Sequence, residues 1–168
     1  MLIITGTMGS GKTAVLYEAS DILAERRIVH AAIDLDALGV AHLPAVPGDG
    51  VMYENYRAVC ANYLRAGVQK FLVARALEDK AQLELCQSIL PVAEVAVCRL
   101  TGSLETMERR VETRETGISQ RRYVARVAQL NSLLDQAHLE DFTISNEGRS
   151  LTEVALEMLA RAKWIQVR

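Results

Sequence analysis

The sequence predicts an α/β domain in which a doubly wound, five-stranded parallel sheet lies between two layers of helices. Short apolar runs alternate with helical patterns along the whole chain, and the first run leads directly into a glycine-rich loop that ends in lysine. A length of 168 residues, half of them hydrophobic and 24% charged, is enough to bury one sizeable core.

Leu2 to Thr5 reads as a buried strand. Gly11 to Arg26 follows as a helix, with apolar residues at Ala14, Val15, Tyr17, Ala19, Ile22 and Leu23. Ile28 to Ile33 is the second strand. Asp34 to Gly50 holds two prolines and three glycines and reads as a loop with room for one helical turn. A helix from about Met52 to Ala66 stops at Gly67, the third strand spans Gln69 to Ala74, and a helix from Glu78 to Ile89 ends before Pro91. Val92 to Leu100 is the fourth strand. Ser103 caps the helix that carries LETMERRVETRE, and a further helix runs from Gln120 to His138. Asp141 to Ser145 is the fifth strand, and Ser150 with Glu153 forms a capping box for a last helix to about Lys163. The expected organisation is a single domain over residues 1–168, with a substrate loop at 34–51 and a lid at 114–123.

A net charge of −2 supplies no global field for nucleic acid or an anionic membrane, so neither is an expected partner. Cys60, Cys86 and Cys98 have no metal-type spacing and read as buried, reduced thiols. No basic segment precedes the first apolar stretch, and no apolar run approaches the roughly 20 residues that a membrane-spanning helix requires. A cytoplasmic location is therefore expected, with the protein a monomer or homodimer.

Gly6-Thr7-Met8-Gly9-Ser10-Gly11-Lys12-Thr13 matches G-x-x-x-x-G-K-[ST], between a strand and a helix as the chemistry requires. Chance gives such a match in roughly one chain in 150 of this length. Glycines let successive N–H groups turn toward phosphate oxygens, and the helix N-terminus adds partial positive charge. That dipole contributes only about 0.3 to 1 kcal/mol when exposed, too little to hold a triphosphate. Lys12 must therefore supply full charge to the β and γ phosphates of ATP, while the Thr13 hydroxyl binds Mg²⁺.

The loop names nucleoside triphosphate binding without choosing a reaction. No guanine-reading N-K-x-D occurs, and Arg75 stands where an ATPase motor's strand-end carboxylate would come. Asp34 and Asp36 follow the second strand at the sheet edge where ligands bind in open α/β folds. One could accept a proton from an acceptor hydroxyl and the other hold Mg²⁺, although an Asp at this point is also an ordinary helix cap. Arg75 ends the third strand on the same edge, where it could hold an anionic group of the acceptor or the γ phosphate. Arg110 and Arg114 are four apart and share a helix face, with Glu108, Glu112 and Glu115 as alternative partners.

Four segments carry a resemblance that spans nearly the whole chain: GTMGSGKT, IDLDAL, RLTGSLETMERRVETRETG and FTISNEGRSLTEVALEML. Together they resemble the nucleoside-monophosphate-kinase-like group of small P-loop kinases, which includes adenylate, shikimate and gluconate kinases and chloramphenicol phosphotransferase. The resemblance implies that Arg110 and Arg114, with Arg121 and Arg122 beyond Gly117, belong to a mobile lid that closes on the transferring phosphate. It also implies that Asn146 and Gly148, in NEGRS, contact the adenine largely through backbone, although this stretch is equally a good turn and cap. The group's acidic residue in or near strand three is absent here, which shifts the weight onto Asp34 and Asp36, one as metal ligand and the other as base toward the substrate.

The expected activity is ATP- and Mg²⁺-dependent transfer of the γ phosphate to a small-molecule acceptor: a nucleoside, nucleotide, sugar or antibiotic. Between strands two and three only Arg57 and Arg65 precede Arg75, which favours a hydroxyl acceptor over a phosphate. A nucleotide-dependent binding module acting through a protein partner is the alternative, motivated by the missing acidic residue.

Overall fold

The computed structural model describes residues 1–45, 48–92 and 94–166. In chain order the elements are β1 (Leu2–Thr5), α1 (Lys12–Glu25), β2 (Ala31–Asp34), α2 (Leu35–Leu38), α3 (Gly50–Arg65), β3 (Phe71–Ala74), α4 (Lys80–Ile89), β4 (Ala96–Thr101), α5 (Leu104–Arg114), α6 (Gln120–Ala137), β5 (Phe142–Ser145) and α7 (Leu151–Arg161). The sheet is parallel throughout, in the order β2-β3-β1-β4-β5, as the doubly wound reading expects.

Side chains alternate across the sheet, and both faces are apolar. Ile3, Ile33, Val73 and Val97 pack toward α3 and α4, while Leu2, Ile4, Leu72, Cys98 and Leu100 pack toward α1 and α7. This gives three layers, and it explains why four residues suffice for β1 and β3, each buried on both faces, while the edge strands β2 and β5 are buried only in part. The three cysteines are free and buried, and burial pushes the Cys98 thiol up to about 12. No described helix is long and apolar enough to cross a membrane.

Several strands start later than the sequence pattern suggests. β2 opens at Ala31, because Ile28 closes the exit of α1 by donating to the Leu23 carbonyl at 2.9 Å. Pairing begins only where Phe71 stands opposite Ala31. β4 opens at Ala96, opposite Leu2, so the residues before it have no strand to pair with; Ala93 lies outside the described residues. Apolar character extends beyond a strand wherever the flanking segment is still covered, so only the neighbouring strand fixes the ends.

The register builds the functional edge. Asp34 pairs with Ala74 on one side of β3, and Ile4 pairs with it on the other. Arg75, one residue on, donates its backbone N–H to the Ile4 carbonyl at 3.1 Å. The ends of β1, β2 and β3 thus lie level, and the helices after β1 and β3 leave toward opposite faces. An open α/β sheet forms its ligand crevice at such a point.

α5 and α6 cross above this edge. Met107, Val111 and Val127 form a small apolar cluster that includes Met8 of the glycine loop. Arg99 of β4, only 4% exposed, anchors α6 from beneath through Asp135 at 2.6 Å, with Glu140 at 3.4 Å.

Candidate active site

The glycine loop is pinned from three sides. Gly9 has φ +75°, and a Cβ there would overlap the Met107 carbonyl of α5; Gly11 has φ +90°, and a Cβ would come 2.6 Å from the Asn146 amide nitrogen. Neither position accepts a side chain, on grounds of both backbone conformation and contact. Thr7 donates its hydroxyl to the Val127 carbonyl of α6 at 2.8 Å, and the buried Asn146 donates its amide to the Ser10 carbonyl.

α1 begins directly at Lys12, with no side chain capping its first N–H groups and no acid in its first turn. Those free donors and the helix dipole face outward from the sheet edge. Lys12 Nζ donates to the carbonyls of Gly6 at 3.0 Å and Thr7 at 3.2 Å, so it lies folded along the loop. Burial lowers its ammonium below the ordinary lysine range; Asp36 and Asp34 oppose that shift, while Arg114 and Arg75 reinforce it. All four of these side chains therefore act on one ammonium.

Thr13 donates its hydroxyl to Asp34 Oδ2 at 2.7 Å. The other oxygen of Asp34 accepts from the Asp36 N–H at 3.1 Å and caps the single turn of α2. Asp34 is thereby both the cap of α2 and the partner of Thr13, so the cap that the sequence allowed at this point falls to Asp34 and leaves Asp36 free of it. Asp36 points the other way, and its Oδ1 takes the Arg75 Nη1 at 2.5 Å.

Arg110 reaches back over the loop, donating to Asn146 Oδ1 at 2.8 Å and to the Gly9 carbonyl at 3.3 Å. Arg114, one turn on, is exposed and pairs with Glu115 at 2.9 Å. Arg121 and Arg122 lie on the exposed start of α6, Arg57 is exposed on α3, and Gly148 is exposed in the turn after β5. None of these four touches the loop through a hydrogen bond among the described residues. Arg65 bonds Asn62 on α3, and His42 lines a cavity with Leu38, Leu43, Asp49 and Met52.

Two residues of the site escaped sequence reasoning. Asp49 pairs with Arg75 Nη2 at 2.5 Å from the residue before α3; an acid between Gly48 and Gly50 was the available signal. Glu147 accepts from Thr106 Oγ1 at 2.6 Å and Ser103 Oγ at 2.7 Å, closing the start of α5 against the turn after β5. Those hydroxyls, Thr106 first, hold its carboxyl down at about 2.

No protein-family model and no curated protein matches the sequence. Solved structures do match the fold. The Mycobacterium tuberculosis APS kinase, solved with AMPPNP and APS, aligns with a TM-score of 0.66 at 20% identity, over 96% of this chain and 96% of that one. Shikimate kinase from Acinetobacter baumannii, in complex with shikimate, gives 0.63 at 15% identity over 99% and 94%. The Deinococcus radiodurans tunicamycin resistance protein gives 0.63 at 19% identity over 96% and 94%. On these likenesses, the chain has the fold of the nucleoside-monophosphate-kinase-like P-loop group that its sequence motifs resemble.

Proposed function

We propose that the protein is an ATP-dependent phosphotransferase that moves the γ phosphate to a hydroxyl of a small molecule. The observation that carries this reading is the 2.7 Å bond from Thr13 to Asp34, which sets the nucleotide side and the acceptor side of one crevice against each other. That neighbours in fold are shikimate, APS and gluconate kinases supports it.

The donor set fits a triphosphate: uncapped N–H groups at the start of α1, the Lys12 ammonium and the Arg110 guanidinium. Lys12 would exchange two carbonyl oxygens for phosphate oxygens with little movement of its backbone. Phosphate charge would also reverse the burial penalty on its ammonium. Thr13 and Asp34 would hold Mg²⁺, which when bound supplies charge to the β and γ phosphates. Among the described residues no three His, Cys, Asp or Glu side chains converge, so the nucleotide would complete the coordination.

Asp36, on the acceptor side, would orient the hydroxyl and accept its proton through Oδ2, while Oδ1 stays with Arg75. Arg114, Arg121 and Arg122 would close from the α5–α6 connection, residues 114–123 acting as a short lid that excludes water and adds positive charge. The loop at 34–51 would hold the acceptor, while Asn146 would fix the glycine loop and Gly148 leave room for the base.

Asp36→Asn tests the assignment. Turnover should fall by on the order of a hundredfold while ATP affinity stays within a few-fold. Steady-state kinetics beside equilibrium titration with ATP separates the two, and near-normal turnover would remove Asp36 from the proton step.

A further inference from the structure

Arg75 brings a cationic side chain to the β3 end of the crevice, and both of its terminal nitrogens are occupied. Nη1 donates to Asp36 and Nη2 to Asp49, each at 2.5 Å. The arginine is 14% exposed, whereas the two aspartates are 57% and 50% exposed. Asp49 accepts the Tyr53 N–H of α3 through its backbone carbonyl at 3.1 Å, yet its side chain caps none of the helix N–H groups, so its carboxylate is committed to the arginine and not to the helix. Three residues beyond Arg75, Glu78 takes Arg126 Nη2 at 2.6 Å.

Charge on this side is therefore settled against anions. Asp36 and Asp49 pair with Arg75 and Glu78 pairs with Arg126, and the one donor of Arg75 left without a hydrogen-bond partner among the described residues, Nε, is buried. Arg57 lies eight residues beyond Asp49, about 12 Å along the helix axis. An acceptor carboxylate or phosphate would have to displace a carboxylate from Arg75 and leave like charges together in a half-buried site. A hydroxyl or ammonium group would instead leave the pairs intact and use the second oxygens of Asp36 and Asp49. The neighbouring cavity of about 270 Å³, lined by Leu38, His42, Leu43, Asp49 and Met52, offers an apolar wall beside the carboxylate.

We infer that the acceptor is an uncharged or cationic hydroxyl compound, of the nucleoside or amino-sugar kind, and that Asp49 enforces this selection by holding Arg75. The inference rests on the phosphotransferase reading and narrows its substrate class. It sets this chain apart from its neighbours in fold that are named for shikimate and gluconate, both carboxylates.

Calorimetric titration of the chain loaded with Mg²⁺ and a non-hydrolysable ATP analogue tests it, with two matched pairs of probes: glucosamine against gluconate, and uridine against UMP. The wild-type protein should prefer the uncharged or cationic member of each pair that binds. Asp49→Asn should tighten binding of gluconate or UMP by roughly tenfold, since one nitrogen of Arg75 is released. Retained stabilisation by MgATP shows that the variant is folded, and Asp49→Ser repeats the test if it is not. A wild-type preference for gluconate or UMP, or anion affinity unchanged by the substitution, overturns the inference. Because binding is read, a chain that shows this pattern but transfers no phosphate refutes the phosphotransferase reading alone.

Discussion

At the scale of single residues, Asn146 is the one whose role was least visible in the sequence. Asn-Glu-Gly-Arg-Ser is good turn chemistry, and nothing in its spacing points 136 residues back to Ser10. In the fold its buried amide bridges the glycine loop and Arg110, so removing it leaves the Ser10 carbonyl without this donor and Arg110 held by backbone carbonyls alone. Asn146→Ala should cost about 1–3 kcal/mol of stability and weaken nucleotide binding as well. Thermal unfolding with and without MgATP measures both losses; an unchanged midpoint and an unchanged ligand shift would show the bridge to be idle. Lys12, Thr13 and Asp34 were legible because strand–loop–helix geometry forces residues near in sequence to one edge. The partnership of Asp49 with Arg75 was not, because it depends on where a 26-residue connection returns.

Among the elements, helix starts were read well and strand ends poorly. Ser103 and Ser150 cap α5 and α7 through local hydrogen bonds, which sequence spacing encodes directly, whereas α4, expected from Glu78, begins two residues later behind the Asp79 cap. β2 and β4 begin where a partner strand begins, and partner strands are remote in sequence. The start of α5 combines both kinds of contact, since Glu147 from the turn after β5 supplements the Ser103 cap. Its carboxyl is held at about 2, below the ordinary glutamate value of 4.5. A depressed carboxylate adds stability above 4.5 that is lost as pH falls toward 2. Glu147→Gln should therefore flatten the acid-side decline of the unfolding temperature across that window. A variant that declines as steeply as the wild type would place the acid sensitivity elsewhere.

For the whole molecule, alternating strands and helices, apolar on both sheet faces, were enough to anticipate three layers and a parallel sheet. Strand order followed only from the structure, and it is strand order that brings β1, β2 and β3 level. That arrangement sets an uncapped helix start with a lysine, two carboxylates and an arginine around one crevice. A phosphate-binding loop alone would serve a partner-binding module equally well, so Asp36 and Asp49 separate the readings only through what they do to an acceptor.

The most direct measurement is transfer of labelled γ phosphate from MgATP to a panel of nucleosides, amino sugars, sugars and antibiotics, run with the wild type and Lys12→Ala. The account predicts a phosphorylated acceptor with the wild type and none with Lys12→Ala, which should also lose its stabilisation by MgATP. Saturable MgATP binding with no phosphorylated product from any acceptor, or full MgATP stabilisation of Lys12→Ala, would contradict it.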